Sequence, residues 1–132
     1  MTNKKTEMPE KFKKKLNNEQ KNIICDHGTE RPFTGKWLYN KDKGFYVCVA
    51  CGNLLFSSDA KYDSGTGWPS FFKVMNKKSV RLKEDNSMFM KRIEVICNKC
   101  NGHLGHVFPD GPQLTGERYC INSLALDFKK KK

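Results

Sequence analysis

The first third of the chain has the hydrophobic pattern of short helices. Phe12 and Leu16 stand four residues apart, which predicts a short amphipathic helix that includes both. Asn17, with Gln20 three positions later, matches a capping box, so a second helix is predicted to begin there and to run towards Ile24. The chain is therefore expected to start with one or two small helices.

From Lys43 onwards the pattern changes to that of β-structure. Short apolar runs bounded by turn residues predict strands at 45–48, 54–57, 79–83, 88–96, 103–108 and 118–128. The sequence Glu84-Asp85-Asn86 is interpreted as a turn, and residues 92–95 alternate as in a half-buried strand. Glycines and prolines predict loops at 29–35, 64–71 and 109–116. The whole pattern predicts a mainly β fold of antiparallel strands.

Composition places much of the charge at the two ends of the chain. The formal net charge is +11, from 25 basic and 14 acidic residues. Residues 1–15 hold six Lys and two Glu, and residues 129–132 are all Lys. These two tails are expected to flank a domain at 16–128. They could bind nucleic acid or an anionic surface, or they could be solvated segments that keep the protein soluble. The tails lack a series of interleaved aromatic residues for base stacking, so solvated tails are favoured and nucleic-acid binding is not expected.

The remaining composition narrows the class of protein. Hydrophobic residues make up 37% and aromatic residues 11% of the chain, which excludes a wholly disordered protein. The sequence has no run of the roughly 18 uncharged apolar residues that cross a bilayer, and it lacks the pattern of a secretory signal. We therefore expect a soluble, cytoplasmic, monomeric protein without membrane contact.

Four of the six cysteines form two Cys-x-x-Cys pairs. The pairs are Cys48 with Cys51 and Cys97 with Cys100. Glycine follows each pair closely, at Gly52 and Gly102, and lets the chain reverse behind the thiolates. Four thiolates complete a tetrahedral shell, which suits a structural Zn²⁺ with no open position for catalysis.

This metal is expected to pin one hairpin to another across the sheet. An iron site with the same four ligands is the chemical competitor. Two redox dithiols or simply buried thiols are the alternatives without a metal. Zinc is favoured because paired Cys-x-x-Cys turns without a secretory signal are typical of metal ligation.

Cys120 is a candidate nucleophile. Side chains two apart in a strand share a face, so Arg118, Cys120 and Asn122 are expected to point the same way. A neighbouring cation lowers the pKa of a thiol, and an amide can hold a polar substrate atom. Leu124 and Phe128 would lie on this same face of a continuous strand, although they are apolar. Either one end of the face belongs to a site and the other end to the core, or a bulge interrupts the strand. A buried, inert thiol is the structural alternative.

Further polar and aromatic residues could assist Cys120. His103 and His106 offer proton chemistry or structural hydrogen bonds. Asp110 lies in a Pro/Gly turn and could simply cap it. Trp68 lies in a loop fixed by glycines and a proline, where the indole could wall an apolar pocket or belong to the core.

Together these motifs resemble the methionine-R-sulfoxide reductase B (MsrB) family. The matching segments are the two Cys-x-x-Cys pairs, 28–35, 67–71, 103–112 and 118–123, which span roughly 16–128 in the family's order. The resemblance implies two antiparallel sheets with a distal structural zinc. It also implies reduction of the R epimer of methionine sulfoxide in oxidised proteins, with thioredoxin or a similar thiol as reductant.

The resemblance also implies a role for each site residue. Cys120 attacks the sulfoxide sulfur and becomes a sulfenic acid. The oxygen is oriented and stabilised by His103, His106, Arg118 and Asn122. The substrate-binding residues are Trp68, which packs the ε-methyl group, and Asp110.

One position departs from the family pattern. Many members carry Cys where this chain has Thr66, and that Cys normally resolves the sulfenic acid. Outside the four proposed zinc ligands and Cys120, only Cys25 remains as a candidate resolving thiol. Direct attack of a reductant on the sulfenic acid is the favoured alternative, since a helix end packed on a sheet moves reluctantly.

Two other functions remain compatible with parts of the sequence. A non-catalytic zinc-binding interaction module needs the four cysteines but has no use for the residues around Cys120. A basic nucleic-acid-binding zinc protein predicts strong, salt-dependent affinity carried by the tails.

Overall fold

The computed structural model describes residues 8–87 and 90–131. Within these residues the chain forms two α-helices and nine β-strands. The helices are α1 (Glu10–Lys13) and α2 (Asn18–Ile24). The strands are β1 (Gly44–Cys48), β2 (Leu54–Ser57), β3 (Lys61–Tyr62), β4 (Ser70–Phe71), β5 (Val80–Asp85), β6 (Arg92–Cys97), β7 (His103–Phe108), β8 (Arg118–Ile121) and β9 (Leu126–Lys130).

The described strands form two antiparallel sheets, which confirms the predicted fold class. The small sheet has the order β2-β1-β9, and the large sheet has the order β3-β4-β8-β7-β6-β5. Every strand pair is antiparallel. Neither of the two described helices has the length or the apolar composition of a membrane-spanning segment.

Aromatic side chains fill the space between the two sheets. Tyr46 and Phe56 come from the small sheet, and Phe71 and Tyr119 come from the large one. The rings of Phe56 and Phe71 stack with centroids 4.2 Å apart. Burial of each such ring contributes about 1.5–3 kcal/mol, so this layer is a main source of cohesion between the sheets.

The predicted capping box at the start of α2 is confirmed. The side-chain oxygen of Asn17 accepts from the Gln20 N–H at 2.8 Å, and that of Gln20 accepts from the Asn17 N–H at 2.9 Å. The helix buries Ile23 and Ile24 and ends at Cys25. The preceding helix α1 ends at Lys13, before Leu16.

The hairpin of β5 and β6 differs from the sequence prediction. Glu84 and Asp85 belong to β5 rather than to a turn, and Asp85 pairs with Arg92. The carboxylate of Asp85 binds Arg92 on β6 and His106 on β7, which favours extended structure here over a turn. Residues 88 and 89, which were assigned to the next strand, lie outside the described residues.

The predicted last strand, 118–128, is two strands in different sheets. A 3₁₀ turn at Ser123–Ala125 separates β8 from β9. The turn is held from outside, because the Ser123 hydroxyl accepts from the Trp37 N–H at 2.8 Å. This break explains why apolar residues follow Cys120 at even spacing. The chain leaves the large sheet after Ile121 and enters the small one, so Leu124 and Phe128 are not on the face of Cys120. Strand β9 includes Lys129 and Lys130, so these two lysines pair with β1 instead of forming a tail.

Candidate active site and metal centre

Cys120 lies in a row of side chains that crosses the large sheet. In the strand register, Cys120 on β8 pairs with His106 on β7 and with Ser70 on β4. His106 in turn pairs with Glu94 on β6. Directly paired residues point to the same side of a sheet, so this row defines what we call the Cys120 face.

A β-bulge brings His103 to the same face. Val95 pairs with Gly105 and Ile96 pairs with His103, so two residues of β7 oppose one residue of β6. In a regular strand, residues three apart point to opposite sides. The extra residue at Leu104 removes that difference, and the rings of His103 and His106 lie with centroids 5.5 Å apart.

Glu94 binds two imidazoles at once. Its Oε2 lies 2.7 Å from Nδ1 of His103 and 2.9 Å from Nδ1 of His27. Burial raises the pKa of Glu94, but the hydrogen bonds from His103 and His27 outweigh it and hold the pKa at about 2. The carboxylate is therefore ionised at neutral pH although its side chain is only 6% exposed.

His106 is held by a second carboxylate. Its Nε2 lies 2.8 Å from Oδ2 of Asp85, and the same oxygen binds Arg92 at 3.3 Å. Burial lowers the pKa of His106, with the Asp85 hydrogen bond opposing that effect. The pKa of Asp85 is lowered because hydrogen bonds from Ser87 and His106 outweigh burial.

The Cys120 thiol is half-buried between a cation and a hydroxyl. Burial raises its pKa, while the charge of Arg118 and hydrogen bonds from Thr66 and Arg118 act in the opposite direction. The sequence-based expectation of a lowered pKa is therefore wrong in its net direction, because burial dominates. Arg118 and Thr66 remain the groups that favour the thiolate.

Asp110 orients Arg118. Nε and Nη2 of Arg118 donate to the two carboxylate oxygens of Asp110 at 2.8 and 3.2 Å. The guanidinium also lies 4.4 Å above the ring of Phe108, so it is held from two sides. The carboxylate of Asp110 raises the pKa of Arg118, which stays charged beside Cys120.

Asn122 lies just beyond β8 and is buried. Its Oδ1 accepts from the Glu30 N–H at 3.0 Å, and its Nδ2 donates to the Leu104 carbonyl at 3.1 Å. Both ends of the amide therefore bind backbone. Asn122 fastens the 26–35 loop to β7 beside the bulge.

Trp68 is held against the same loop. Its Nε1 donates to the carbonyl of Glu30 at 3.0 Å, and the Phe33 N–H donates to the carbonyl of Gly67 at 2.7 Å. Trp68 also lines a cleft of about 370 Å³ with Phe33 and Tyr62, while Cys120 is not among the lining residues. Tyr62 joins the two regions, because it pairs with Ser70 of the Cys120 row.

The four cysteines of the two pairs converge in one buried cluster. Their sulfur atoms all lie within 4.8 Å of one another, and the Cys48–Cys100 and Cys51–Cys97 distances are both 3.6 Å. Four thiolates at about 2.3 Å from a tetrahedral Zn²⁺ would stand about 3.8 Å apart. The spacing, the burial and the donor type thus fit a tetrahedral thiolate-bound ion.

Two matching turns present these sulfurs. The residue after each pair has a left-handed backbone, with φ of 78° at Gly52 and 68° at Asn101. The N–H of Gly52 donates to the carbonyl of Cys48, and that of Asn101 to the carbonyl of Cys97. In the second turn Asn101, rather than Gly102, takes the reversing position. Gly102 is required for close packing, since an added Cβ would lie 2.9 Å from Ile24 Cγ2.

The cluster joins the two sheets. The sequence-based expectation, that it would join two hairpins of one sheet, is wrong on this point. Cys48 ends β1 of the small sheet, and Cys97 ends β6 of the large one. Asn53 supports the cluster, because its Nδ2 lies 3.6 Å from the sulfur of Cys97. An ion bound here would link a strand end of the small sheet to a strand end of the large one.

Comparison with known proteins supplies the family. The model of the SelR domain matches residues 16–130. A peptide methionine sulfoxide reductase MsrB of Methanosarcina mazei is 59% identical over 128 residues, covering 97% of this chain and 91% of that protein. The MsrB of Methanosarcina barkeri is 61% identical over 120 residues, with coverage of 91% and 84%. The MsrB of Leptospira interrogans is 55% identical over 121 residues, with coverage of 92% for both chains.

The chain belongs to the MsrB family. This family consists of peptide methionine sulfoxide reductases, which are oxidoreductases. The predicted family is therefore confirmed.

The structure adds site residues to this MsrB chain that the sequence pattern did not reveal. Among residues 8–87 and 90–131, four buried side-chain polar atoms have no hydrogen-bond partner: Glu30 Oε2, Tyr62 Oη, Arg92 Nε and His103 Nε2. All four belong to residues on the Cys120 face or in the loop beside it. Unpaired buried polar atoms are uncommon, and their concentration here marks a place where a polar ligand can bind.

The sequence pattern gave only weak signals for Asp85 and Glu94 as site residues. Asp85 stood in an apparent turn, and Glu94 stood in an alternating pattern typical of a solvent-facing side chain. Glu94 is instead 5% exposed, because the 26–35 loop covers it. Only the pairing of β5, β6 and β7 shows that both carboxylates meet histidines.

Cys25 of this MsrB chain is not one of the four clustered cysteines. It follows α2 as its C-terminal cap and is 8% exposed. Burial raises the pKa of its thiol. A buried, protonated thiol is a poor partner for rapid disulfide formation.

Proposed function

We propose that this chain reduces R-methionine sulfoxide in oxidised proteins to methionine, with Cys120 as the nucleophile. The observation that carries this proposal is the row of Glu94, His106 and Cys120, with Arg118 beside the thiol. Such a site has a sulfur nucleophile, proton-bearing imidazoles and a fixed cation on one face. Membership of the MsrB family supports the same chemistry.

In the proposed reaction the thiolate of Cys120 attacks the sulfoxide. The attack falls on the sulfoxide sulfur. The oxygen takes up one proton, its bond to the methionine sulfur breaks, and it passes to the Cys120 sulfur. Methionine leaves in its reduced form, and Cys120 becomes a sulfenic acid. Arg118 and the Thr66 hydroxyl hold the thiolate against the effect of burial.

The oxygen needs donors on the same face as the thiol. We assign this task to His103, His106 and Arg118, whose positions beside Cys120 support it. For Asn122 the contacts favour an indirect role, because both ends of its amide bind backbone. Asn122 would then position the 26–35 loop that borders the substrate.

Substrate binding is assigned to two further residues. Trp68 offers an aromatic surface beside the cleft, which suits the ε-methyl group of the substrate. Asp110 acts through Arg118, whose guanidinium it fixes with two hydrogen bonds.

We propose Zn²⁺ as the ion of the four-cysteine cluster. Cys48, Cys51, Cys97 and Cys100 would hold one ion per chain and leave no open coordination position. Its role is structural: bound there, it would add thiolate–metal bonds between the two sheets.

Recycling is proposed to proceed through an external thiol. Thioredoxin or a similar reductant would attack the sulfenic acid at Cys120 directly. The burial of Cys25 at the end of α2 supports this route over a disulfide with Cys25. We further propose that the catalytic domain, expected at 16–128, extends to the end of β9 at Lys130 and acts as a monomer in the cytoplasm, without nucleic acid.

An assay with both epimers of methionine sulfoxide and dithiothreitol tests the function. Reduction of the R epimer without turnover of the S epimer is expected. Cys120→Ser should abolish turnover while one zinc per chain remains, because the two sites use different sulfurs. Substantial activity of that variant would show that another residue is the nucleophile. A chain with zinc but no activity on either epimer would instead favour the non-catalytic zinc module.

A further inference from the structure

Glu94 binds two histidines, His27 and His103, of which only His103 has a role in the proposed reaction. His103 belongs to the Cys120 face, whereas His27 comes from the 26–35 loop and is 29% exposed. Their rings stack with centroids 5.1 Å apart, and both Nδ1 atoms point to the same oxygen of Glu94. We propose that Glu94 is a positioning residue for reduction, which holds the ring proton of His103 on Nδ1 and so directs Nε2 to the sulfoxide oxygen. This inference rests on the proposed function.

The tautomer follows from the contacts of the two ring nitrogens. An ionised carboxylate only accepts hydrogen bonds, so Nδ1 of His103 must carry a proton. The other nitrogen, Nε2, is buried and has no hydrogen-bond partner among the described residues. In the imidazolium form, Nε2–H is a donor matched to the strongly accepting oxygen of a sulfoxide.

The proton balance is simple in this arrangement. The proton on Nε2 moves to the oxygen as the S–O bond of the substrate breaks and the Cys120 sulfur takes the oxygen. His103 is then neutral and still donates Nδ1–H to Glu94, so Glu94 keeps its charge throughout. The charge of Glu94 therefore stabilises the proton-donating form without exchanging a proton itself.

Among the charged and titratable groups near His103, Glu94 is the anion that contacts it. Glu94 faces it from β6, His27 faces it from the loop, and His106 lies 5.5 Å away on the same strand. Asp85 is occupied by His106 and Arg92. The Cys120 thiol and Arg118 lie on β8, beyond His106 in the sheet.

The same three side chains have the composition of a metal site. Donor atoms of His27, Glu94 and His103 lie within 4.8 Å of one another. An ion bound through Nδ1 would leave the proton of the neutral His103 ring on Nε2. The nitrogen-15 spectra described below distinguish that arrangement from the proposed tautomer.

His27 supports Glu94 from the end of α2. Its backbone is left-handed, with φ of 58°, and the following N–H of Gly28 donates to the Asn22 carbonyl at 3.0 Å. This helix ending turns the His27 ring towards the sheet. Asn tolerates the same backbone conformation, so His27→Asn removes the imidazole with little strain.

Single-turnover kinetics with R-methionine sulfoxide test the proposal. Glu94→Gln keeps the shape and removes the charge, Glu94→Asp keeps the charge, and Glu84→Gln on β5 is a control whose exposed carboxylate binds Lys91. Glu94→Gln is expected to lower the maximal single-turnover rate roughly 10- to 100-fold, with little change in the substrate concentration that gives half of that rate. Glu94→Asp should recover part of the rate. Zinc content and thermal unfolding show whether each variant is folded.

Nitrogen-15 spectra of the three histidines give a readout that does not depend on activity. The signals are assigned with His27→Asn and His106→Gln. The expected result is a proton on Nδ1 of His103 in the neutral form. A proton on Nε2, or a folded Glu94→Gln variant with the wild-type rate, would overturn the proposal. Failure of the wild type to reduce either epimer would instead reject the proposed function, while the spectra still decide the tautomer.

Discussion

Single carboxylates hold each of the proton-bearing or cationic side chains of the Cys120 face. The pairs are Glu94 with His103, Asp85 with His106, and Asp110 with Arg118. Charge-assisted hydrogen bonds are shorter and stronger than neutral ones, so each pair restricts one side chain to one orientation. The three pairs differ in burial, and Glu94 is the most enclosed.

The charge of Glu94 makes stability depend on pH. Its pKa falls from an ordinary 4.5 to about 2 in the folded state, so folding is favoured above pH 4.5 and this stabilisation is lost as the pH falls towards 2. Between pH 6 and pH 4 the free energy of unfolding of the wild type should drop by about 1 kcal/mol more than that of Glu94→Gln. Urea unfolding at both pH values measures the difference.

Zinc content must be measured in the same samples, because thiolate ligands bind protons in acid. Equal pH dependence of the two proteins, with equal zinc content, would contradict the stabilising role of the Glu94 charge.

Position 66 is the place where a resolving thiol can be introduced. The Thr66 hydroxyl lies near enough to the Cys120 thiol to lower its pKa, so a sulfur at position 66 would lie beside the sulfenic acid. Thr66→Cys is expected to form a disulfide with Cys120 after one turnover without reductant. Peptide mapping with thiol counting detects it.

The wild type is the reference for that experiment and should retain a sulfenic acid at Cys120. Cys25→Ser should leave its thioredoxin-driven turnover nearly unchanged. A disulfide between Cys25 and Cys120 that forms at the rate of turnover would contradict direct reduction.

At the scale of elements, the contact of β7 with β8 determines the site. Gly105 pairs with Ile121, one position from the pairing of His106 with Cys120. A Cβ at Gly105 would lie 2.1 Å from the carbonyl oxygen of Cys120, which leaves no room for any side chain. The strand pair that aligns the nucleophile therefore depends on this glycine.

Gly105→Ala is expected to separate the two strands. The free energy of unfolding should fall by about 1–3 kcal/mol, as for other overpacked positions, and activity should fall further because Cys120 and His106 lose their register. Chemical unfolding and the sulfoxide assay measure the two effects.

Gly116→Asn is the matched control, since position 116 has φ of 77° and open space around it. Asn tolerates that conformation, so stability and activity should change little. If Gly105→Ala behaves like this control, the close approach of β7 and β8 is not required.

At the scale of the whole molecule, the metal cluster and the aromatic layer connect two sheets. The stacked rings of Phe56 and Phe71 join the sheet faces, while the four cysteines join strand ends. Structural zinc contributes an apparent free energy of about 10–16 kcal/mol in small zinc-binding peptides. That exceeds or matches the whole stability of a typical domain, about 5–15 kcal/mol.

Cys48→Ser is therefore expected to lose the metal and most of the folded population together. Metal analysis should give one zinc per wild-type chain, and circular dichroism should report the loss of structure in the variant. Cys25→Ser is the control, since it removes a buried thiol outside the cluster. A folded, active and metal-free Cys48→Ser protein would rule out a structural metal.

The sequence alone determined the local features of this protein. The capping box of Asn17 and Gln20, the β1–β2 hairpin, the strand at His103 and the two cysteine turns follow from short-range pattern and turn chemistry. The motifs around Cys120 also indicated the family. All of these signals lie within a few residues of one another, where chain geometry limits the alternatives.

The way in which distant residues meet follows from the folded chain and not from local pattern. The break at Ser123–Ala125, the bulge at Leu104 and the pairs of Glu94 and Asp85 with histidines depend on contacts between separate strands and loops. The pKa of Cys120 likewise depends on how deeply neighbouring elements bury it, and burial outweighs the adjacent Arg118. Local pattern cannot supply these results, because strand register and desolvation arise only when the whole chain packs.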